Sequence, residues 1–382
     1  MTSVSNSLID QLRAGLPADA VVTDSASMQA YRNDMAMFCP SGEPAVVVRP
    51  ESTQQVQYVM RLASEHRIPV VPQGARSGLS GGANAVDGCI VLSLTRLNRI
   101  LDIDTSEQLA VVEPGVVNAD LSRAVLDKGL FYPPDPSSWE WSTVGGNVAT
   151  NAGGLCCVKY GVTADFVRSL EVVLASGEIL RTGRRPAKGV AGYDLTRLLV
   201  GSEGTLGVIT KITVALRPAP DAALTIAAVF DSASAALRSV ARIIASGVGP
   251  SLLEFIDRTT LRAINDYRDM GLPEDAQALL LAESDRGPQA AQAIATMADI
   301  CLEQGALEVA QASDAAESAM LLEARRLVSP ALDRLGVTLV DDVAVPRERL
   351  TELLAGIERI ARNGEGAKDD YLVRRFRIGG WA

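Results

Sequence analysis

The chain has 382 residues, enough for two or three domains, and its 47% hydrophobic and 21% charged residues are typical of a globular protein. Its 36 basic and 46 acidic residues give a net charge of −10 without a dense basic run, which argues against nucleic-acid binding. The sequence has no stretch of about 18 consecutive apolar residues, so we expect no membrane span.

The cysteines and the amino-terminal residues bear on the cellular compartment. Five cysteines occur, at Cys39, Cys89, Cys156, Cys157 and Cys301. Their odd number and the lack of C-x-x-C spacing predict neither a disulfide framework nor a zinc site, and they fit a reducing compartment. Residues 1–16 lack the long apolar core of a signal peptide. We therefore expect a cytoplasmic protein, with any association with the inner face of the membrane made through partners.

The first two hundred residues predict a small β-α-β unit followed by a strand-rich region. Residues 44–50 (PAVVVRP) read as a strand, and a helix capped by Ser52 or Thr53 ends near His66, before a strand at IPVVPQG. Further strands rich in Val, Ile and Leu are expected at 89–94, 107–115, 169–177, 178–183 and 205–216. Short helices are expected at 118–128 and 193–199.

A change of composition at Pro218–Asp221 (PAPD) predicts a domain boundary. Beyond it, a strand and an Ala-rich helix are followed by SLLEFID (251–257), a helix, ALLLAES (278–284) and a long helix from about Pro288 to Gln304. This alternation favours a ferredoxin-like antiparallel sheet with helices on one face.

The loop PQGARSGLSGGA, at 72–83, is the first candidate binding element. Four glycines lie within nine positions, interleaved with Arg76, Ser77 and Ser80, so several backbone N–H groups can turn toward one diphosphate. The alternative is a flexible surface linker, but the loop lies between two apolar strands, which favours an anion site. It matches neither G-x-G-x-x-G nor a Walker loop, so nicotinamide cofactors and ATP are weak candidates.

Two more segments complete a candidate cofactor cleft. PPDPSSWEWSTVGGNVATNAGG (133–154) offers small residues and amide or hydroxyl groups to a planar ligand, although alone it could be a structural cluster of turns. Together with KYG (159–161) it reads as the wall of a cleft. In GSEGTLGVIT (201–210), Glu203 is an acid that a ribose or adenine could use.

The ordered succession PQGARSGLSGGA, PPDPSS, STVGGNVATNAGG, KYG and KGVAGYDLTRLLVGSEGTLGVITKI strongly resembles the FAD-linked oxidases of the vanillyl-alcohol-oxidase type. Within that group it is similar to glycolate oxidase FAD-binding subunits and to D-lactate and D-2-hydroxyglutarate dehydrogenases. The resemblance covers residues 40–350. It implies an α+β fold, with an FAD-binding domain of the p-cresol methylhydroxylase (PCMH) type made of two subdomains at 1–219. A ferredoxin-like α+β cap domain is implied at 220–363, and residues 364–382 form an atypical tail.

The resemblance also implies the cofactor residues. The loop residues expected nearest the pyrophosphate are Pro72, Gly74, Arg76, Ser77, Gly78, Leu79, Gly81 and Gly82. Those expected to line the adenosine diphosphate and the flavin are Asp135, Ser138, Thr143, Gly146, Asn147, Thr150, Asn151 and Gly154. Those expected to close the adenine side are Glu203, Gly207 and Ile209. Some relatives tether flavin through His or Cys, but the single histidine, His66, lies outside these loops. We therefore expect non-covalent FAD, with the Cys156–Cys157 pair as the reservation.

The implied reaction is oxidation of a small D-2-hydroxy acid (lactate, glycolate or 2-hydroxyglutarate) to the 2-oxo acid by hydride transfer to flavin. In LLEARRLVSPAL, Arg325 falls at the position of the arginine that is thought to bind substrate in the family. From the residues alone, Arg325 and Arg326 read as a solvated helical pair. The expected electron acceptor is a protein or a quinone, and partner subunits are an open alternative.

The carboxyl-terminal region departs from the family. Relatives carry GHxGDGNxH-like and GEHG-like segments with metal-ligand and catalytic histidines, which this sequence lacks, so no metal is expected. The ending EGAKDDYLVRRFRIGGWA is unlike theirs, and the interpretation is a reading frame cut or shifted near residue 363, with an incomplete cap domain. The alternative function is an FAD-binding but catalytically impaired subunit, or a truncated product acting only with partner subunits.

Overall fold

The computed structural model describes residues 6–36, 38–186, 188–271, 273, 275–336 and 343–363. The chain folds into two compact units, of which the first comprises Met1–Gly154 and Val162–Ala219. The second comprises Leu155–Gly161 and Pro220–Ala382, so seven residues leave the first unit and return to it. The expected atypical tail, 364–382, lies outside the described residues.

The first unit begins with a small sheet of mainly parallel strands. Its elements are α1 (Asn6–Gly15), a 3-10 turn (Ala18–Ala20), β1 (Val21–Val22), α2 (Ser25–Gln29), β2 (Val46–Val48), α3 (Thr53–His66), β3 (Val70–Gln73) and β4 (Ile90–Ser93). The strand order is β1-β2-β4-β3, in which β2, β4 and β3 run parallel and β1 is antiparallel.

Helix α3 shows why this β-α-β unit forms as the sequence predicts. The Ser52 side chain accepts a hydrogen bond from the Gln55 N–H at 3.3 Å, which begins the helix. Val56, Val59 and Met60 recur at helical spacing and pack in one core with the sheet residues. Arg67, at φ 54°, ends the helix and turns the chain toward β3.

A five-stranded antiparallel sheet forms the rest of the first unit. Its elements are β5 (Ile100–Asp104), β6 (Leu109–Val112), α4 (Asn118–Leu126), β7 (Leu130–Phe131), α5 (Val144–Thr150), α7 (Thr163–Phe166), β8 (Val167–Val173), β9 (Ile179–Gly183), α8 (Leu195–Leu199), β10 (Val208–Ala215) and β11 (Arg217–Pro218), with α6 (Cys157–Tyr160) in the excursion to the second unit. The strand order is β5-β6-β10-β8-β9, and β7 pairs with β11.

The second unit contains one antiparallel sheet. Its elements are β12 (Leu224–Phe230), α9 (Ala233–Ala245), β13 (Leu252–Asp257), α10 (Arg258–Tyr267), β14 (Ala278–Ser284), a 3-10 turn (Gly287–Gln289), α11 (Ala290–Glu303), β15 (Ala306–Gln311), α12 (Ala315–Leu321), α13 (Glu323–Asp333), a 3-10 turn (Arg347–Arg349) and α14 (Leu350–Asn363). The order β13-β14-β12-β15, with helices α9 and α11 as crossovers, is the ferredoxin-like arrangement that the sequence predicts.

Helices pack on both faces of this sheet, so the prediction of helices on one face is wrong. Leu253 and Phe255 of β13 face one core, which includes residues of α9, α11 and α14. Leu252 and Ile256 face a second core with residues of α10 and α13. The physical reason is that β13 and β14 are apolar on both sides, as fully covered strands are.

Side chains of the seven-residue excursion bind the end of the second unit's sheet. The Lys159 ammonium and the Tyr160 hydroxyl both donate to the Asp285 carboxylate, whose side chain is 6% exposed. Asp285 follows β14, and α6 packs against the edge strand β13. These contacts anchor α6 to the second unit. Among the described residues, no helix is both long and apolar enough to span a bilayer.

Candidate functional site

The glycine-rich loop begins where β3 ends and is closed by a side chain that the sequence reading missed. Gln73 is buried, and its Nε2 donates to the carbonyl oxygens of Tyr31 at 2.8 Å and Ala83 at 2.7 Å. Its Oε1 is buried and has no hydrogen-bond partner among the described residues. The sequence marks Gln73 as a polar residue at the end of the apolar run IPVVP. A buried amide needs hydrogen-bond partners, which the fold or a ligand must supply.

The segment before β2 forms a second layer against this loop, which the sequence reading also missed. The Met35 N–H donates to the Gly78 carbonyl at 3.0 Å, and the Asp34 N–H donates to Asn84 Oδ1 at 2.7 Å. Gly81, at φ 80°, lies so close to Cys39 that a Cβ would come within 2.8 Å of its Cβ. Only glycine fits there, by conformation and by space.

Arg76 is a half-buried cation in the middle of the loop. Its backbone is left-handed, at φ 59°, and its guanidinium carbon lies 5.0 Å from the centre of the Tyr31 ring. Burial lowers the pKa of Arg76, and no carboxylate pairs with it among the described residues. A cation without a counter-ion beside several glycine N–H groups favours an anionic ligand.

Helix α5 packs against the loop through Thr143 and Gly74. The Thr143 hydroxyl caps the helix by accepting a hydrogen bond from the Gly146 N–H at 3.3 Å. Gly74 lies directly against this hydroxyl, and a Cβ at position 74 would overlap it. One turn along, Asn147 is 3% exposed, and its buried Nδ2 has no hydrogen-bond partner in the part of the chain that the structure describes. The amide can therefore donate to a ligand oxygen.

The turn that carries Glu203 closes the same region. The Glu203 N–H donates to Ala149 and the Gly201 N–H donates to Val148, both at 2.9 Å, so the turn is tied to α5. Ser80 Oγ donates to Glu203 Oε1 at 3.4 Å, and Gly82 lies against the same carboxylate. The three segments singled out in the sequence therefore meet in the first unit.

Some of the other candidate residues lie in the glycine-rich loop or its strand, and others contact residues of their own segment. Gly154 has no room for a Cβ because Asp135 lies against it, and the Ser138 carbonyl accepts from Ser142 N–H at 2.7 Å. Pro72 lies in β3 beside Gly204. Ser77 and Leu79 lie in the loop, where Leu79 is exposed.

The candidate residues in and directly after α5, and those at and directly before β10, make hydrogen bonds or packing contacts within the fold. Thr150 Oγ1 donates to the Gly146 carbonyl at 3.1 Å, and Asn151 Oδ1 accepts from the Ala164 N–H at 2.9 Å. Gly207 lies 2.6 Å, measured from a virtual Cβ, from Val172 Cγ1, and Ile209 is buried in β10. The side chains of Thr150 and Asn151, the buried Ile209 and the missing side chain of Gly207 therefore serve contacts within the fold.

These residues fit a cofactor with a diphosphate and a flat ring system. Crowded glycines allow backbone to approach a ligand closely, and Arg76 supplies positive charge. Asn147 Nδ2 and Gln73 Oε1, which lack partners within the described ranges, can supply a donor and an acceptor. Within the ranges that the structure describes, no three His, Cys, Asp or Glu side chains are placed to hold a metal ion. His66 ends α3, and its Nε2 lies 3.1 Å from Gln11 Oε1, away from the loop.

Arg325 lies in α13 of the second unit and is buried, whereas its neighbour Arg326 is exposed. Arg325 Nε donates to Glu254 Oε2 at 2.8 Å, and the two side chains are 11% and 4% exposed. The two Nη groups of Arg325 make no hydrogen bond to any described residue. Arg326 instead lies 3.5 Å from Glu323, one turn away on the surface. The structure thus separates two arginines that the sequence presents as equivalent.

Comparisons with known proteins match both units. A model of the FAD binding domain matches residues 44–183, and a model of the C-terminal domain of FAD linked oxidases matches residues 219–376. The chain is 46% identical over 336 residues to the glycolate oxidase subunit GlcD of Bacillus subtilis (strain 168), covering 87% of this chain and 70% of that one. It is 33% identical over 382 residues to the D-lactate dehydrogenase of Anaerostipes hadrus, covering 98% and 79%.

A solved structure supports the fold independently. The 4-ethylphenol oxidase from Gulosibacter chungangensis matches with a TM-score of 0.74 at 21% identity, over 94% of this chain and 79% of that one. The PCMH-type fold and the FAD cofactor expected from the sequence are therefore confirmed. The chain belongs to the FAD-linked oxidase family.

Proposed function

We propose that this protein oxidises a small D-2-hydroxy acid to the 2-oxo acid with non-covalently bound FAD. The observation that carries the proposal is the buried Arg325, whose Nη groups have no partner among the described residues, in a chain whose first unit is built around a glycine-rich anion loop. Relatives named glycolate oxidase subunit and D-lactate dehydrogenase, which share a third or more of its residues, support this substrate class.

In this proposal the first unit holds the cofactor. The loop 74–82 and Arg76 bind the diphosphate, Asn147 donates to the cofactor, and Glu203 accepts from the ribose or adenine. Asp135, Ser138, Gly154 and the remaining candidate residues shape the wall around it. Bound flavin supplies a hydride acceptor for the α-hydrogen of the substrate.

Arg325 is the proposed substrate cation. The fork of Nη groups on Arg325 matches the two oxygens of a carboxylate, which fixes the orientation of the adjacent hydroxyl-bearing carbon. Orientation of that carbon is what hydride transfer requires.

Replacing Arg76 by glutamine tests the cofactor loop. We expect the dissociation constant for FAD to rise roughly 10- to 100-fold, because a charge-assisted hydrogen bond contributes about 1.5–3 kcal/mol. The matched control is Arg67→Gln, since Arg67 is also left-handed, at φ 54°, but exposed at the end of α3. Equal FAD affinity in the Arg76 variant and the wild type, measured by fluorescence titration of the apoprotein, would exclude Arg76 from the diphosphate site.

Electron acceptor and location belong to the same proposal. We infer that a protein or quinone reoxidises the flavin. We also infer that the chain works in the cytoplasm, because its five cysteines have neither the even number nor the spacing of a disulfide framework. A second candidate function is an FAD-binding subunit that needs partner subunits for turnover. It is favoured by the Bacillus relative, which is a subunit of glycolate oxidase.

An absorbance spectrum of the purified protein, before and after anaerobic addition of D-lactate or glycolate, tests the proposed function. Flavin bands that bleach support the dehydrogenase. Bands that stay unchanged with every 2-hydroxy acid, and bleach only after partner subunits are added, favour the second candidate. A protein that binds no flavin contradicts both.

A further inference from the structure

We propose that Glu254 is a positioning residue that fixes the guanidinium of Arg325 for the substrate carboxylate. The inference rests on the proposed function, because it assigns Arg325 to the substrate. Neither the sequence reading nor the family match singles out Glu254, which lies within the apolar strand β13.

The guanidinium of Arg325 has one edge that binds Glu254 and another edge without a partner among the described residues. Glu254 Oε2 accepts from Nε of Arg325 at 2.8 Å. A guanidinium has five N–H donors in a rigid plane, so fixing Nε also fixes the direction of both Nη groups. The Nη groups are the ones without a partner among the described residues, and they provide the two-pronged donor that a carboxylate takes.

Packing restricts the pair further. Ala324 and Val328 of α13 and Leu252 and Ile256 of β13 belong to one core, and they flank Arg325 and Glu254 in the sequence. The strand and the helix are thereby held together on both sides of the ion pair. The Glu254 side chain is 4% exposed, so its charge is little screened by solvent and the bond to Nε is well defined.

A buried carboxylate is costly unless it is paired, and the bond to Arg325 Nε offsets part of that cost for Glu254. An apolar residue at 254 would continue the pattern of SLLEFID and pack without penalty. A second carboxylate on the same face, Glu283, is the matched control. It lies opposite Leu252, accepts from Ser251 Oγ at 3.2 Å and from Thr225 Oγ1 at 3.4 Å, and makes no bond to Arg325.

The test is anaerobic stopped-flow reduction of the FAD-loaded protein by D-lactate, which separates the substrate dissociation constant from the limiting rate of flavin reduction. The variants are Glu254→Gln, Glu254→Leu and Glu283→Gln, with Glu254→Leu repeated in an Arg325→Met background. We expect the substrate dissociation constant to rise about 10- to 100-fold in Glu254→Leu, with a smaller change in the limiting rate. Glu254→Gln should recover most of the affinity, because an amide oxygen accepts the same bond.

The Arg325→Met background distinguishes positioning from a general structural role. There, Glu254→Leu should change the dissociation constant less than about twofold, because the group that it positions is gone. Equal effects in both backgrounds, a glutamine variant as weak as the leucine variant, or an equal effect of Glu283→Gln would each overturn the proposal. If Arg325→Met itself leaves the dissociation constant unchanged, the assignment of Arg325 fails, which is a separate result. Flavin content and thermal unfolding, measured in parallel, identify variants that misfold, and the milder Glu254→Gln variant then carries the comparison.

Discussion

Arg325→Lys should lower kcat/KM for the 2-hydroxy acid by about 100- to 1,000-fold, equivalent to roughly 3–4 kcal/mol of lost transition-state binding. Lysine keeps the positive charge opposite Glu254 but loses the planar fork that can bind Glu254 and the substrate together. The bound FAD should be unaffected, because the cofactor residues lie in the first unit.

The neighbouring arginine provides the control for this prediction. Arg326→Lys alters a side chain that is 62% exposed and forms a surface ion pair with Glu323, so its kcat/KM should stay within about twofold of the wild type. Steady-state kinetics with an artificial electron acceptor measure both variants. Similar losses in the two variants would contradict the assignment of Arg325 to the substrate carboxylate.

Gly74→Ala should largely abolish FAD binding, with the dissociation constant raised at least about 100-fold. The added methyl group would overlap Thr143 Oγ1, which caps α5 through Gly146. Displacement of Thr143 would move both the loop and Asn147, so two contacts to the cofactor change together. The overlap should also destabilise the apoprotein by about 1–3 kcal/mol.

Gly356→Ala is the matched control for the glycine prediction. Gly356 lies in α14 of the second unit with open space where its Cβ would be, and alanine favours the helix. Flavin content after purification and calorimetric titration of FAD into apoprotein measure the effect. A Gly74→Ala protein that purifies with a full complement of FAD would show that the loop does not approach the cofactor as described.

Much of the fold could be predicted because local signals agree with tertiary packing. Ser52 caps α3 and the apolar spacing of that helix matches its buried face, so its bounds follow from the sequence. Helix α5 was missed, because Gly145 and Gly146 disfavour a helix and the segment reads as turns. It forms because Thr143 caps it and because Val144 and Val148 are buried.

Other elements could not be predicted because they form only through contacts with distant parts of the chain or lie at the exposed edge of a sheet. Strand β15 lies at an edge of its sheet and is largely exposed, so it lacks the apolar pattern that marks a buried strand. β1 has two residues and forms only because it pairs with β2. The excursion 155–161 depends on contacts of Lys159 and Tyr160 with Asp285, which lies more than 100 residues further along the chain.

The sequence predicts residues of the candidate site where a glycine marks a close approach of two segments. It does not predict a side chain that acts by binding another side chain far along the sequence. Gly74 and Gly82 each lie against another of the three segments, and Gly154 lies against Asp135 of its own segment. Glu254 is recognisable in the sequence as a charged residue inside an apolar strand, and such a residue needs a buried partner. That partner, Arg325, lies 71 residues further along the chain, so their pairing required the structure.

The most direct measurement is the stoichiometry of an anaerobic single turnover. Protein loaded with FAD is mixed with a small excess of D-lactate, the loss of flavin absorbance is recorded, and the 2-oxo acid released is quantified by chromatography. The account predicts one 2-oxo acid for each flavin that bleaches, and no bleaching with the L-enantiomer on the same timescale. Bound flavin that stays oxidised with every 2-hydroxy acid, or bleaches without forming a 2-oxo acid, would contradict it.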